Sequence, residues 1–452
     1  MKVVKALKSK ITNHSRIFDA TLVIYNEALS FMINVIDKEF GQIEDISTKT
    51  IVPAVERLIH TTKSNPLPKY HEYNRRFYKF PSYFRRSAIA SAFGKVKSYR
   101  SNFRNWEEKR DMALTEKRRF RKKSPKMQLE HKEFPVFYKG NMFKKGSDSS
   151  AQIKAFHKND WVWISIKFKE QDLYKRNVWD WKESNPKLVK VGKKYFLHFG
   201  YESDVRLNKV KITKQKVCAV DLGINNSAVC SVLDAKGTVL ARKFMNQPRE
   251  KDRLYRMTNK LRKVQSISGW VSTPNFWRRI NGIQKHIVHH TSSEIVKFAK
   301  ENDCHVIVFE YLDHMKMPKG YWGAKKLRFK LHYWRKKGIQ NKVTEMAHYV
   351  GMRISRINAR NTSALAFDGS GKVERSPRKD LAVFTTGKAY HADLLASYNI
   401  GARYFIRGIQ KSISEKKWLT LQAKVPDLSK RTGQTLSSLI SLRSALESPS
   451  VA

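Results

Sequence analysis

The sequence predicts a multidomain α/β protein, and three observations carry that prediction. Of its 452 residues 41% are apolar, enough to fill more than one core. The spacing of those apolar residues switches between the helical and the strand period along the chain. Three acids far apart in sequence, Asp221, Glu310 and Asp393, each stand beside an apolar run, where a charge needs a partner.

A strand is expected from Val3 to Ile11, followed by a helix whose Leu22, Tyr25, Leu29, Met32 and Ile36 make one apolar stripe. A second helix is expected from Pro81 to Trp106. Ile89, Phe93, Val96 and Phe103 share one face of it, ringed by Arg85, Arg86, Lys95, Lys97, Arg100 and Arg104. The basic stretch KRRFRKKSPK at 117–126 has little apolar periodicity. Beyond it, Val162, Ile164, Ile166 and Phe168 alternate with more polar positions, and the runs 188–191 and 195–201 flank a Gly-Lys-Lys turn. These strands read as a small β-barrel at 131–215 that takes its first strand from residues 1–12. A helical lobe at 13–130 is inserted between the two parts.

Composition changes after Lys216. The string VCAVDLGINNSAVCSVLDAKGTVLARKF reads as three strands of an antiparallel meander, with an Asp-Ala-Lys-Gly turn before the last. Helices at 249–265 and 274–300, a buried strand at 304–309, a helix at 330–349 and a strand at 352–357 follow. Three antiparallel strands and then alternating helices and strands is the order of an RNase H-like fold. We assign that core to 216–360 and 391–425, with an insert at 361–390. The tail at 426–452 is rich in Ser and Leu, has few aromatics and is expected to be disordered.

With 90 Lys and Arg against 39 Asp and Glu, a net charge of +51, the chain calls for a polyanionic partner. Its 12% aromatic content suits a folded body with stacking platforms for bases. Arg85, Arg86, Arg100, Arg104, Arg118, Arg119 and Arg121 are the candidate nucleic-acid contacts. Three cysteines, Cys218, Cys230 and Cys304, lie inside apolar runs, an odd count that argues against a disulfide framework. The N-terminal MKVVKALKSKI lacks a signal-peptide pattern, and no apolar run is long enough for a bilayer. A cytoplasmic protein is expected, acting at nucleoid DNA in a prokaryotic host and not on a membrane.

Asp221 ends the run Val-Cys-Ala-Val, Glu310 ends His-Val-Ile-Val-Phe, and Asp393 opens a helix whose apolar face is Leu394, Leu395, Tyr398 and Ile400. If the three converge, they can hold two magnesium ions, with manganese as a substitute, that serve in-line phosphodiester hydrolysis. Asp234, Asp313 and Asp368 stand in turn-like settings and read as solvated loop residues. His289 and His290 have no carboxylate or Cys at ligand spacing and read as surface or packing residues. No Gly-rich phosphate loop or nucleophile elbow is present, which argues against a nucleotide hydrolase or an esterase.

These residues resemble a known family, the transposon-encoded TnpB proteins and the related compact type V CRISPR effectors. VDLGINNSAV and VIVFEYL resemble the first and second RuvC motifs, and GMRISRINARNTS with YHADLLASYNIGAR resembles the third. FPSYFRRSAIASAFGKVKSYRSNFRNW is similar to the recognition-lobe helices. The resemblance implies a RuvC-like nuclease domain, a wedge-like barrel and a helical recognition lobe, with Asp221, Glu310 and Asp393 as the catalytic, magnesium-binding triad. It implies an RNA-guided DNA endonuclease whose partners are a guide RNA and double-stranded target DNA beside a short flanking motif. The family usually carries a zinc ribbon between Ser363 and Asp393. Here ALAFDGSG and FTTGKAYHAD hold no cysteine, so no structural zinc is expected and packing must hold the insert.

Two other readings stay open at this point: a nuclease-dead, RNA-guided DNA-binding repressor, and a guide-independent RuvC-like nuclease of transposition or recombination. The sequence does not distinguish a transposon from a CRISPR setting, nor one copy from two on each RNA.

Overall fold

The computed structural model describes every residue except 15, 48–49, 129–132, 147–148, 270–271, 314–319, 321–323, 377–379 and 448–452. It divides into one unit at 2–203 and another formed by 204–452 with Met1.

In the first unit, strand β1 (Lys2–Lys10) leads to α1 (Asp19–Lys38), α2 (Phe40–Ile43), α3 (Ile51–Ile59), α4 (Glu72–Arg76) and the long α5 (Ser82–Thr115). The stripe of α1 packs as its spacing dictates: Tyr25, Leu29, Met32 and Ile36 are buried in one core with Phe84, Ile89, Phe93 and Val96 of α5. Residues 117–126 take no regular structure, but Trp106 donates its indole N–H to the Lys122 carbonyl at 3.0 Å, laying the basic stretch along α5. Strands β2 (Phe143–Lys145), β3 (Ser150–His157) and β4 (Asp160–Lys167) form a three-stranded sheet. Strands β5 (Lys182–Glu183), β6 (Lys187–Val191) and β7 (Lys194–Asp204) join β1 in a four-stranded sheet, with β1 beside β7. The helices therefore lie between two strands that pair. The two sheets meet where Ile11 bridges to Phe168, beside backbone bonds from Thr12 to Lys167 at 2.8 Å and from Lys169 to Lys10 at 2.9 Å.

The second unit is built on a five-stranded sheet. Strands β8 (Lys216–Asp221), β9 (Ala228–Asp234) and β10 (Val239–Met245) form the antiparallel meander. Its second turn closes because Asp234 accepts backbone N–H groups from Lys236 and Thr238, both at 2.9 Å, and Gly237 takes φ +92°. Helices α6 (Pro248–Ser268) and α7 (Pro274–Glu301) lead to β11 (Val306–Tyr311), which pairs in parallel with β8. The single helix expected at 330–349 is two, α8 (Ala324–Tyr333) and α9 (Lys336–Tyr349), because Arg335 leaves the helical conformation at φ −89°, ψ +44°. Strand β12 (Arg353–Asn358) then pairs in parallel with β11, giving the order β10-β9-β8-β11-β12.

Short strands β13 (Glu374–Arg375), β14 (Leu381–Val383) and β15 (Ala389–His391) precede α10 (Ala392–Gln410) and α11 (Glu415–Lys424). The inner strands β8, β9 and β11 are buried on both faces and are almost continuously apolar, whereas the edge strands β10 and β12 are only partly buried. Val217, Ala219, Val306 and Val308 pack with Leu394, Tyr398 and Phe405 of α10, while Cys218, Val220, Ile307 and Phe309 pack with Ile295 and Ala299 of α7 and Val343 of α9. All three cysteines are free and buried. The tail corrects the expectation of disorder: Leu436–Glu447 forms α12, and Leu436, Leu439 and Leu442 are buried in the core of α10. Three leucines at helical spacing supply the apolar stripe that few aromatics had concealed. Residues 448–452 lie outside the described ones. No described helix is long and apolar enough to cross a membrane.

Candidate active site

Parallel pairing of β8 and β11 matches Phe309 with Val220, so the next residues, Glu310 and Asp221, end neighbouring strands side by side. Carboxyl ends of adjacent parallel strands are where open α/β sheets place their ligand sites, since each chain must leave the sheet there. Asp393 arrives from the other direction, in the first turn of α10. The helix is capped at His391, whose imidazole accepts the Asp393 N–H, and its dipole favours an acid at that end. Packing of α10 against β8 and β9 brings that turn to the same end of the sheet.

Asp221 feels the other two acids. Burial, then the charges of Glu310 and Asp393, push the Asp221 carboxyl well above the usual carboxylate range, with Arg375 opposing them. Burial also raises Glu310, offset by the Thr362 hydroxyl, which donates to its Oε1, and by the charge of Arg403. Glu310 is 9% exposed, and Asp221 and Asp393 are half-buried.

A shell of polar groups holds this arrangement. Asn226, in the loop after β8, donates its amide to Asp393 Oδ2 at 3.0 Å. Gly223 gives that loop room: a Cβ there would stand 2.8 Å from the Asn226 carbonyl oxygen and 3.6 Å from Asp393 Oδ2. Gln340 donates to the Glu310 carbonyl at 3.1 Å, and Asn399 on α10 donates to the Thr362 carbonyl at 3.0 Å. Arg403, 3% exposed, spends its guanidinium on the carbonyls of Asn358, Arg360, Thr432 and Gln434, tying α10 to the end of β12 and to the tail. Lys251 of α6 donates to the Asn225 carbonyl and, at 3.0 Å, to Asn246 Oδ1; burial holds its ammonium down to about 8 although the charge of Asp393 favours it. Asn226 lies in the string quoted for the first motif, and Thr362, Asn399 and Arg403 lie in those quoted for the third, though nothing local assigned them this role. Lys251 carried no sequence signal.

Three hard carboxylates fit a small divalent cation by donor chemistry. As the side chains stand, Glu310 is engaged by Thr362 and Asp393 by Asn226. Among the described residues no three His, Cys, Asp or Glu side chains gather closely enough to form a ready metal cluster.

The arginines proposed from sequence separate into two kinds. Arg85 is corrected: it is 8% exposed and bonded to Glu56 at 3.0 Å, a structural residue of the helical core. Arg100 pairs with Asp37 and Arg104 with Glu44, both at 2.5 Å, while Arg86 is 3.6 Å from Glu56 and Arg118 pairs with Glu116. Arg119 and Arg121 are exposed, with no ion pair among the described residues. The insert gathers a small aromatic core: Phe367 meets Phe384 at 5.2 Å, Tyr390 at 5.0 Å and Tyr398 at 5.4 Å, over Ala366, Ala382 and Leu395.

A sequence model described as the Aq_aa04 family matches residues 3–157. A TnpB-like protein, aq_aa05 of Aquifex aeolicus (strain VF5), is 25% identical over 232 residues, covering 47% of this chain and 75% of the relative. Among solved structures, that of a Cas12f1–sgRNA–target DNA complex is 15% identical with a TM-score of 0.47, covering 88% of this chain and 98% of the other. A mini-RNA-guided endonuclease, CRISPR-Cas_phi3, is 10% identical with a TM-score of 0.46, covering 88% and 92%.

Proposed function

From a chain that is a relative of the TnpB-like proteins, we propose an RNA-guided DNA endonuclease with one RuvC-like site at Asp221, Glu310 and Asp393. The observation that carries the reading is the placement of Asp221 and Glu310 at adjacent strand ends, with Asp393 acting on Asp221 from α10. A fold does not gather three acids, two of them raising the third, for stability, so the charge is there for a cation. Magnesium is the cation whose hard-oxygen preference this donor set meets, and when bound it supplies Lewis acidity for the attacking water and the leaving oxygen. Thr362 and Asn226 orient Glu310 and Asp393, and Gly223 lets the loop joining β8 to β9 pass close to Asp393.

On this reading residues 216–360 and 391–425 are the RuvC-like RNase H core with the insert at 361–390 and α12 packed on it, the two sheets of the 2–203 unit are the wedge-like module and its helices the recognition lobe. A guide RNA and a DNA duplex account for a net charge of +51, through phosphate contacts that weaken as salt rises. Arg119 and Arg121, exposed on the basic stretch, are the foremost candidates among the arginines.

The test is to purify the protein with the RNA it retains from a host expressing its native locus, sequence that RNA, and assay magnesium-dependent cleavage of a plasmid library matched to the RNA's 3′ end. Cleavage beside a short fixed motif, abolished by Asp221→Ala with RNA binding intact, is the expected result. Equal loss of RNA binding would overturn the assignment of Asp221. Target binding without cutting would support the repressor instead, and absence of a discrete RNA would overturn guidance itself.

A further inference from the structure

Beside the carboxylates, within the same unit, lies a cavity of about 570 Å³. One wall is the loop after β8, including Gly223, the residue packed near Asp393 Oδ2. Other lining residues are aromatic: Tyr255 of α6 and Phe329 and Tyr333 of α8. Phe329 and Tyr333 meet edge to face at 5.0 Å, and the Arg262 guanidinium lies 4.4 Å from the Phe329 ring centre, fixing that ring between two partners. Lys251 also lines the cavity. Two of its three N–H donors are used within the protein, on Asn225 and Asn246, leaving the third for a ligand.

Flat rings, a fixed ammonium and a volume large enough for a base with its sugar describe a receptor for a nucleotide out of its stack. We propose that the cavity holds one unstacked nucleotide of the DNA strand being cut, its base against Tyr255, Phe329 and Tyr333 and a phosphate oxygen on Lys251. The proposal rests on the nuclease reading and deepens it. Seating the nucleotide beside Gly223 fixes the neighbouring phosphodiester with respect to Asp221, Glu310 and Asp393, which is what an in-line displacement requires of its substrate. Base stacking is tolerant of sequence, as a guided enzyme needs at a position that the guide does not read. Lys251 is here a positioning residue.

The experiment has two arms on the full-length protein. In EDTA, which prevents hydrolysis, DNA pentanucleotides bearing a central 2-aminopurine are titrated by fluorescence and displaced by unlabelled pentanucleotides with a central base or a central abasic site. The base-bearing competitor is expected to displace about tenfold better than the abasic one, a difference lost in Tyr255→Ala and in Phe329→Ala. Tyr255 is 57% exposed, so its removal leaves the core intact, and circular dichroism verifies each variant's fold. Lys251→Gln should weaken both competitors alike. Equal competition by the two in the parent protein overturns the proposal.

The second arm identifies the strand. In magnesium, abasic sites are placed one at a time along the cleaved DNA strand. One position should slow cleavage about tenfold in the parent and not further in Tyr255→Ala. Efficient cleavage without any sensitive position overturns the pocket and leaves the nuclease standing. If the chain cuts nothing, the nuclease reading falls, and the competition arm still decides whether a nucleotide binds.

Discussion

Glu39, in the helical part of the 2–203 unit, is 5% exposed and accepts hydrogen bonds from Lys69 at 2.6 Å and Tyr70 at 2.5 Å, which hold its carboxyl below the usual range. Asp221 and Glu310, at strand ends of the other unit, are pushed the opposite way by burial, and Asp221 further by neighbouring acids. One carboxylate is neutralised by the protein that buries it. The others are given orienting donors and no ion pair among the described residues, so their charge is left to something the chain does not contain. The same contrast runs through the arginines: Arg85 is spent on Glu56, whereas Arg119 and Arg121 are exposed and have no ion pair among the described residues.

The sharpest way to break the comparison is Asp221→Asn. Cleavage should fall by at least about a thousandfold, the several kcal/mol that a catalytic metal supplies. Stability should move the other way. Because the folded-state pKa of Asp221 is raised, the folded protein binds more protons than the unfolded one, and stability in EDTA falls as pH climbs above the ordinary carboxylate value. Asp221→Asn should remove that part of the fall, and thermal melts in EDTA at about pH 5 and about pH 8 check it. A variant less stable than the parent at the higher pH would contradict the account.

Gly223→Ala comes next. Its Cβ would meet backbone at 2.8 Å, so the loop must shift, and a displacement of about 1 Å beside the reacting groups should slow cleavage about a hundredfold with guide binding unchanged. Glu39→Gln should cost about 2 kcal/mol in urea unfolding, the worth of hydrogen bonds to a charged group, with no specific effect on cleavage. Its folded pKa is depressed, so the parent's advantage is present above the unfolded carboxylate value and disappears as pH falls through the folded one. The smallest effect is expected from Asn226→Ala, which frees Asp393 from its orienting amide and should raise the magnesium requirement about tenfold, read from a metal titration of the cleavage rate.

Why the acids could be found and their supports could not is instructive. A charge at the end of Val-Cys-Ala-Val or His-Val-Ile-Val-Phe violates the local pattern, and a violation is visible without a partner in view. Asn226 and Thr362 violate nothing, since Asn and Thr are ordinary loop residues, and their role exists only through contacts to Asp393 and Glu310 far along the chain. Arg85 misled for the converse reason. It sits among other arginines on one helix, yet it alone of those named is buried, with Glu56 of α3 at 3.0 Å, while Arg86 beside it stays exposed at 3.6 Å from the same carboxylate.

Alone, then, the sequence determined the meander, the alternating helices and strands after it, the stripes of α1 and α5, and the positions of three unpaired acids. Each follows from side-chain period and from the cost of burying a charge, which are properties of short windows. Tertiary structure decided that Asp221 and Glu310 end neighbouring strands, that α12 covers α10, that the insert gathers an aromatic core, and that a cavity lies beside Gly223. Those depend on contacts between residues distant in the chain, and no local period encodes which of many compatible surfaces will meet.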